Sequence, residues 1–492
     1  MLRHLPCLLL CLAAQGLALA APASVLPAEL EAALARAQIP TDAVALVVQD
    51  TQQPMAAPRL SHRAQVPMNP ASVMKLVTTY AGLDLLGPSY TWQTPVYVDG
   101  TLQDGTLHGN VTIVGQGDPK LVLERLWLLL RRLQGLGIRN IDGDIVLDRS
   151  AFELAATDPA SFDGEPLRPY NAAPDALLIN YKAVLMNFTP DRARGLAQVQ
   201  FDPPLAGVQL QTTVPLAPGE CGDYRAALKA DFSDPRRIRF GGSLASSCGE
   251  KLWPVAYADP DSYALRAVQG MWQDMGMRLG GRVRYGTLTA AQLAAKPRFS
   301  LASPPLAELI RDINKFSNNV MAQQLFLTLG RVLPVVAPPP GTSDSDGAAL
   351  APGSFAASRA VLQRWWKERI SPEDLPLLEN GSGLSRQERI SAQGLARLLH
   401  VAWRSPSMAE LMGSLPISGV DGTLQRAKAR AVASAHLKTG TLGNVLARAG
   451  YVDGASGKRY VLVALINHPN ANTEAARAAM DVLIDWAVRD TP

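Results

Sequence analysis

The feature that most constrains this fold is an interruption. From about residue 91 to residue 288 the chain is made of short alternating strands, while helical texture stands on either side. Residues 111–114 and 144–147 read as strands, with Asp104-Gly105 and Asp142-Gly143 among the turns. One amphipathic helix, 121–136, lies among them, and Pro203-Pro204 and Pro218-Gly219 punctuate the later part. The expected organisation is one α+β domain in two pieces, residues 21–90 and 289–492, with a strand-rich module, 91–288, inserted between them. A length of 492 residues leaves room for this at about 150 residues per domain.

The flanking pieces read as helix 26–37, buried strand 43–49 and a clear helix over 69–86. Asn69 can cap that last helix, Pro70 suits its first position and Gly87-Pro88 stops it. After the module come helices near 305–329, 355–369 and 391–403. The chain then closes with strands 448–452 and 459–467 around a Gly-Ala-Ser-Gly turn and a final helix, 473–488. Residues 335–354, rich in Pro, Gly, Ser and Asp, read as a loop. Hydrophobic residues make up 47% and charged residues 18%, which favours a packed protein over a disordered one. The formal charge is +4, with both signs interspersed and no basic run that would read as a nucleic-acid arm.

The first twenty residues have the layout of a cleavable export signal. Arg3 and His4 precede an apolar run, and Ala18-Leu19-Ala20 forms a small-residue cleavage site. A mature chain starting near Ala21 in the periplasm is expected. Leu10 before Cys11 argues against a lipoprotein signal. Cys7 and Cys11 would leave with that segment. Cys221 and Cys248 would remain as an even pair in an oxidising compartment, which suggests one disulfide rather than two buried thiols. No later stretch is long and apolar enough for a membrane span. The histidines are scattered without metal-ligand spacing, so no metal and no cofactor are expected.

Three short motifs carry candidate chemistry. Ser72-Val73-Met74-Lys75 places a hydroxyl and an amine on one face of a helix start. The free N–H groups and helix dipole there favour developing negative charge, and a neutral amine could take the serine proton. Ser317-Asn318-Asn319, at the start of another helix, could relay protons through Ser317 and hold a substrate amide through Asn319. Lys438-Thr439-Gly440 stands just before the final strand pair, where Lys438 and Thr439 could bind a carboxylate and Gly440 admit a close backbone. Each triplet alone is as readily a surface pair, a polar helix start or a turn. Each is unique in the chain, and their order is what matters.

That order, Ser-x-x-Lys, Ser-x-Asn, Lys-Thr-Gly, resembles the active-site motifs of penicillin-binding proteins and serine β-lactamases. The chain is similar, over nearly all its mature length, to the class C low-molecular-mass penicillin-binding proteins, the D-alanyl-D-alanine carboxypeptidase/endopeptidases of type 4. Asn69-Pro70-Ala71-Ser72, the run from Glu379 to Ser385 and the run from Leu415 to Leu424 add to the likeness. So does the interval of about 240 residues between Ser72 and Ser317, room for an inserted module of domain size. Asn318 departs from the aspartate common at that position. The resemblance implies a penicillin-binding transpeptidase-type fold whose insertion holds two small nested domains, and Cys221 and Cys248 lie where some relatives have a cysteine pair. It implies acylation of Ser72 with Lys75 as base, an oxyanion hole from the N–H groups of Ser72 and Thr441, and Ser317 passing the proton to the leaving amine. Asn319, Lys438, Thr439 and Gly440 would bind substrate. Peptidoglycan stem peptides are the expected substrates, with β-lactams as covalent inhibitors. A β-lactamase or esterase on the same scaffold and a non-catalytic wall-binding protein are the competing readings. The oligomeric state, a homo-oligomer included, stays open.

Overall fold

The computed structural model describes residues 26–333 and 351–490. The expected export signal, 1–20, and all but the last four residues of the expected loop 335–354 lie outside the described residues. In chain order the flanking region supplies helix α1 (Ala28–Arg36), strands β1 (Val44–Asp50) and β2 (Leu60–His62) and helix α2 (Lys75–Leu86). Helices α3 (Leu306–Lys315), α4 (Asn319–Val332), α5 (Phe355–Arg369) and α6 (Ala392–Trp403) follow. Strands β3 (Ala435–Leu442), β4 (Val445–Asp453) and β5 (Arg459–Asn467) and helix α7 (Glu474–Val488) complete it.

The five strands form one antiparallel sheet in the order β2-β1-β5-β4-β3. Successive side chains on a strand point to opposite faces, and here both faces are covered. Val44, Leu46 and Val48 of β1 pack in the cluster shared with α1 and α7, whereas Ala45 and Val47 pack with α2, α3, α4, α5 and α6. This two-sided burial is why β1 reads as a continuous apolar run rather than an alternating one. Terminal helices α1 and α7 lie together on one face, and Arg448 of β4 is ion-paired to Asp481 of α7 at 2.6 Å beneath them. Strand β3 is one edge of the sheet; residues 416–418 pair with its first residues, and its later part faces the start of α2.

Between α2 and α3 the chain builds two further five-stranded sheets. One runs in the order Val283–Tyr285, Ile145–Asp148, Val111–Val114, Gln93–Val98, Phe299–Ala302. The other includes Ala183–Asp191 flanked by Leu196–Asp202 and Lys251–Ala256. Both contribute to a single apolar core with helix Leu123–Gly135. Cys221 and Cys248 are joined as a disulfide in this region, their Cα atoms 4.6 Å apart.

One local feature differs from expectation: the stretch between α2 and α3 holds a second long helix, Pro260–Asp274, capped by the Asp259 carboxylate, whose buried face carries Tyr263, Ala267 and Met271. The helical stretch 305–329 is two helices, with the expected helix start at Ser317-Asn318-Asn319 set by Ser317, which sits at φ 57 between them. The Lys438-Thr439-Gly440 triplet stands just before the final strand pair, inside an edge strand of its own, β3. No helix among the described residues is long and apolar enough to cross a membrane.

Candidate active site

Ser72 lies on a 3-10 turn, Ala71–Met74, that leads into α2, so Lys75 is the first residue of the α-helix proper. Asn69 shapes the turn from outside it. Its Oδ1 accepts the Ala71 N–H at 2.8 Å, and Ala71 takes φ 47, a left-handed conformation uncommon for a residue with a Cβ. Asn69 is itself clamped by Asn467 at the end of β5: Asn69 N–H donates to Asn467 Oδ1, and Asn467 Nδ2 donates to Asn69 O, both at 2.9 Å.

The amine of Lys75 is fully buried and has three acceptors: Ser72 Oγ at 3.0 Å, Asn319 Oδ1 at 2.6 Å and the Ser382 carbonyl at 2.5 Å. As a cation it would donate to all three. As a neutral amine it would donate to Asn319 and Ser382 and turn its lone pair to the Ser72 hydroxyl. Burial is the main reason its pKa falls well below the ordinary lysine value; the Lys438 amine lowers it further and the Glu388 carboxylate opposes this. That is the state a general base needs.

Ser317 comes from the break between α3 and α4. Its left-handed backbone turns the chain so that Asn318 caps α4, accepting the Met321 N–H at 3.0 Å, and Asn319 points inward. Lys438 Nζ, fully buried on β3, donates to Ser317 Oγ at 3.0 Å and to its neighbour's carbonyl, Thr439 O, at 2.7 Å. Burial brings the Lys438 pKa down to about 7. The hydroxyls of Thr439 and Thr423 share a hydrogen bond of 2.6 Å.

Gly440 is where β3 meets the nucleophile turn. A Cβ there would stand 2.5 Å from the Pro70 carbonyl oxygen and 3.1 Å from the Ser72 nitrogen, so only glycine permits this approach. The Leu437 N–H points off the edge of β3, donating to Pro416 O. By the two-residue alternation of a strand, the N–H groups of Thr439 and Thr441 face the same open edge, beside Ser72.

The three motifs thus converge from two helix starts and one strand. Ser72, Lys75, Ser317, Asn319 and Lys438 are linked by hydrogen bonds into two serine–lysine pairs, Ser72 with Lys75 and Ser317 with Lys438. The Ser317 hydroxyl bonds to Lys438. Asn319 is already engaged on both sides, its Nδ2 donating to Tyr170 O at 3.2 Å. Tyr170 belongs to the inserted region, which therefore walls the site. A cavity of about 510 Å³ opens beside it, lined by Tyr170, Gln323, Asn380, Leu384 and Arg386 among others but by none of the side chains of the three motifs.

Sequence reasoning missed Ser382, Tyr170 and Glu388. Ser382 and Tyr170 act through backbone carbonyls, which any residue type can supply. The run from Glu379 to Ser385 did mark the neighbourhood.

A half-buried serine paired with a fully buried lysine at a helix start, set against the edge strand of a helix-covered antiparallel sheet, defines a serine acyl-transfer enzyme of the penicillin-binding type. Comparison with known proteins narrows the class. The chain belongs to the D-Ala-D-Ala carboxypeptidase 3 (S13) family, whose sequence profile matches residues 26–487. It is therefore a serine D-Ala-D-Ala carboxypeptidase by family. It is 25% identical to the D-alanyl-D-alanine carboxypeptidase DacB of Haemophilus influenzae over 407 residues, 81% of this chain and 80% of that one. It is also 25% identical over 450 residues to the D-alanyl-D-alanine carboxypeptidase of Actinomadura sp. strain R39, covering 86% of this chain and 78% of that one. Among solved structures, penicillin binding protein 4 from Haemophilus influenzae superposes with a TM-score of 0.68 at 22% identity, over 94% of this chain and 98% of that one. The predatory endopeptidase Bd3459 of Bdellovibrio bacteriovorus shares the fold at a TM-score of 0.51 and 14% identity, covering 90% and 91%.

Proposed function

We propose that the protein cleaves D-alanyl bonds in peptidoglycan stem peptides and cross-links, outside the cytoplasm, through an acyl-enzyme on Ser72. The observation that carries the reading is the Lys75 amine, buried, with two fixed acceptors and the Ser72 hydroxyl at 3.0 Å as its third neighbour.

In this reading neutral Lys75 takes the Ser72 proton as Oγ attacks the carbonyl carbon of the D-alanyl bond. The oxyanion is met by the N–H groups of Ser72 and Thr441, the latter on the open edge of β3. The leaving amine takes a proton from Ser317, which is replenished from Lys438. Lys438, with a pKa of about 7, can hold or release a proton near neutrality. With Thr439 it also binds the terminal carboxylate. Water then attacks the ester and gives its proton to Lys438, while Lys75 returns its proton to the departing Ser72 oxygen, which restores both lysines. Asn319 holds Lys75 and offers its amide to the substrate once the Tyr170 carbonyl moves aside. The 510 Å³ cavity gives the rest of the stem peptide a place to lie. The inserted region is proposed to run to about residue 302, because Phe299–Ala302 pairs with Gln93–Val98. An export signal over residues 1–20 and β-lactams as covalent inhibitors complete the proposal.

The test is labelled penicillin followed by peptide mapping, together with mass analysis of fragments released from purified peptidoglycan. Label on Ser72 and release of D-alanine or of split cross-links are expected, and both should vanish in Ser72→Ala. Steady turnover of a β-lactam without a lasting adduct would favour a β-lactamase. Release of D-alanine by the Ser72→Ala protein would overturn the reading.

A further inference from the structure

Glu388 is a fully buried acid that the proposed mechanism does not use. It follows the run from Glu379 to Ser385, which curls round it. Its Oε1 accepts three consecutive backbone N–H groups, from Glu379 at 2.9 Å, Asn380 at 3.1 Å and Gly381 at 3.2 Å. Its Oε2 is buried and has no hydrogen-bond partner among the described residues. Burial raises its pKa above the ordinary glutamate value, and the three N–H donors on one oxygen oppose that rise by favouring the ionised carboxylate.

The curl ends at the catalytic amine. Gly381 O accepts the Thr78 hydroxyl at 2.6 Å, which pins the loop to α2 one turn past Lys75, and the next carbonyl, Ser382 O, is the 2.5 Å acceptor of Lys75 Nζ. The backbone can turn this tightly because Gly381 and Gly383 take φ 72 and 81. A Cβ at 383 would stand 2.0 Å from the Ala71 carbonyl oxygen, so the loop also abuts the nucleophile turn.

We infer that Glu388 is a positioning residue for the general base: it holds the Ser382 carbonyl against Lys75, and its negative charge sets the pH at which Lys75 gives up its proton. The inference rests on the assignment of Lys75 as the base. The charged groups facing the pair are few. Lys438 faces Lys75 from β3, Glu388 faces it from the loop, and Glu379 faces Glu388. Lys75 thus feels one buried amine, Lys438, and one buried carboxylate, Glu388. A purely structural acceptor of three N–H groups could as well be neutral, and it would escape the desolvation of a buried charge. The carboxylate has the further effect of offsetting the mutual repulsion of the amines.

The sign follows. A negative charge favours protonated Lys75, so Glu388→Gln should make the amine easier to deprotonate. The full-length protein is acylated with fluorescent penicillin between pH 5 and pH 10, for wild type, E388Q and E388D. In E388Q the acid limb of the second-order rate should move to lower pH by about half a unit or more. E388D keeps the charge but falls a methylene short of the three N–H groups. Its limb should stay in place while the rate drops about ten-fold, because the base is less well aimed. An acid limb unmoved in E388Q, with only the melting temperature lowered, overturns the inference. If E388Q does not fold, E388D carries the test, and a wild-type rate in that variant overturns it. Wild-type protein that takes no label on Ser72 would instead sink the functional assignment itself, a result distinct from both.

Discussion

Lys438 on the edge strand and Lys75 on the helix are buried near one another, and the charge of the first loosens the hold of the second on its proton. Two lysines so placed are costly to keep charged together, and their presence is a mark of chemistry rather than of stability.

That cost is measurable through Lys438. Its folded pKa is about 7, against about 10.4 in an unfolded chain. Between these values the unfolded state binds the extra proton, so stability rises with pH across this window and the full penalty is present below it. Lys438→Met removes the penalty and the slope. The variant should exceed wild type in Tm by more at pH 7 than at pH 10, by on the order of a few degrees, in scanning calorimetry.

Lys75→Met should leave the fold intact and lower penicillin acylation about 10²- to 10⁴-fold, the usual contribution of a positioned proton acceptor. Stopped-flow labelling gives the rate, and circular dichroism checks the fold. A loss of less than ten-fold would remove Lys75 from the role of base.

Gly440→Ala would push a methyl group to 2.5 Å from the Pro70 carbonyl oxygen. Neither β3 nor the Ser72 turn is a flexible side chain that can yield. We expect a loss of about 1–3 kcal/mol in stability, typical of overpacking, and a fall of ten-fold or more in acylation as the edge strand backs away from Ser72. Urea titration and penicillin labelling read the two effects.

The Cys221–Cys248 bridge closes a loop with a sequence separation of 27 in the inserted region, away from the serine–lysine pairs. Replacing both with serine should lower stability by about 3.5 kcal/mol by the chain-entropy relation, while penicillin acylation stays within about two-fold of wild type. Loss of labelling in a folded double variant would show that the bridge reaches the active site.

The catalytic side chains were legible because each motif uses a spacing with geometric meaning. Ser72 and Lys75 sit a helical turn apart, and Asn318 at a helix start signals a cap. The helix start at α4 was legible, but not that the chain turns there on one left-handed serine, Ser317, because apolar helical texture continues on both sides. Strand β3 hid its triplet because Lys438, buried and neutralised in part, looks polar in a sequence and behaves as core in the fold. The helix Pro260–Asp274 was missed although Asp259 and Pro260 mark its start, because its buried face is built from Ala, Tyr and Trp as much as from aliphatic residues. Contacts made by carbonyls, such as Ser382 O on Lys75, leave no trace in residue type. Glu388 stood in a polar run and looked like surface.

The Asn69–Asn467 clamp gives the enzyme a schedule. The nucleophile is synthesised well before the partner that holds its turn, which comes 398 residues after Asn69. Lys438 and Gly440 also arrive late. A growing chain therefore carries Ser72 as an ordinary hydroxyl for most of its synthesis. Its reactivity dates from the moment the last strand closes the sheet, so a chain cut short before that strand is inert rather than partly active.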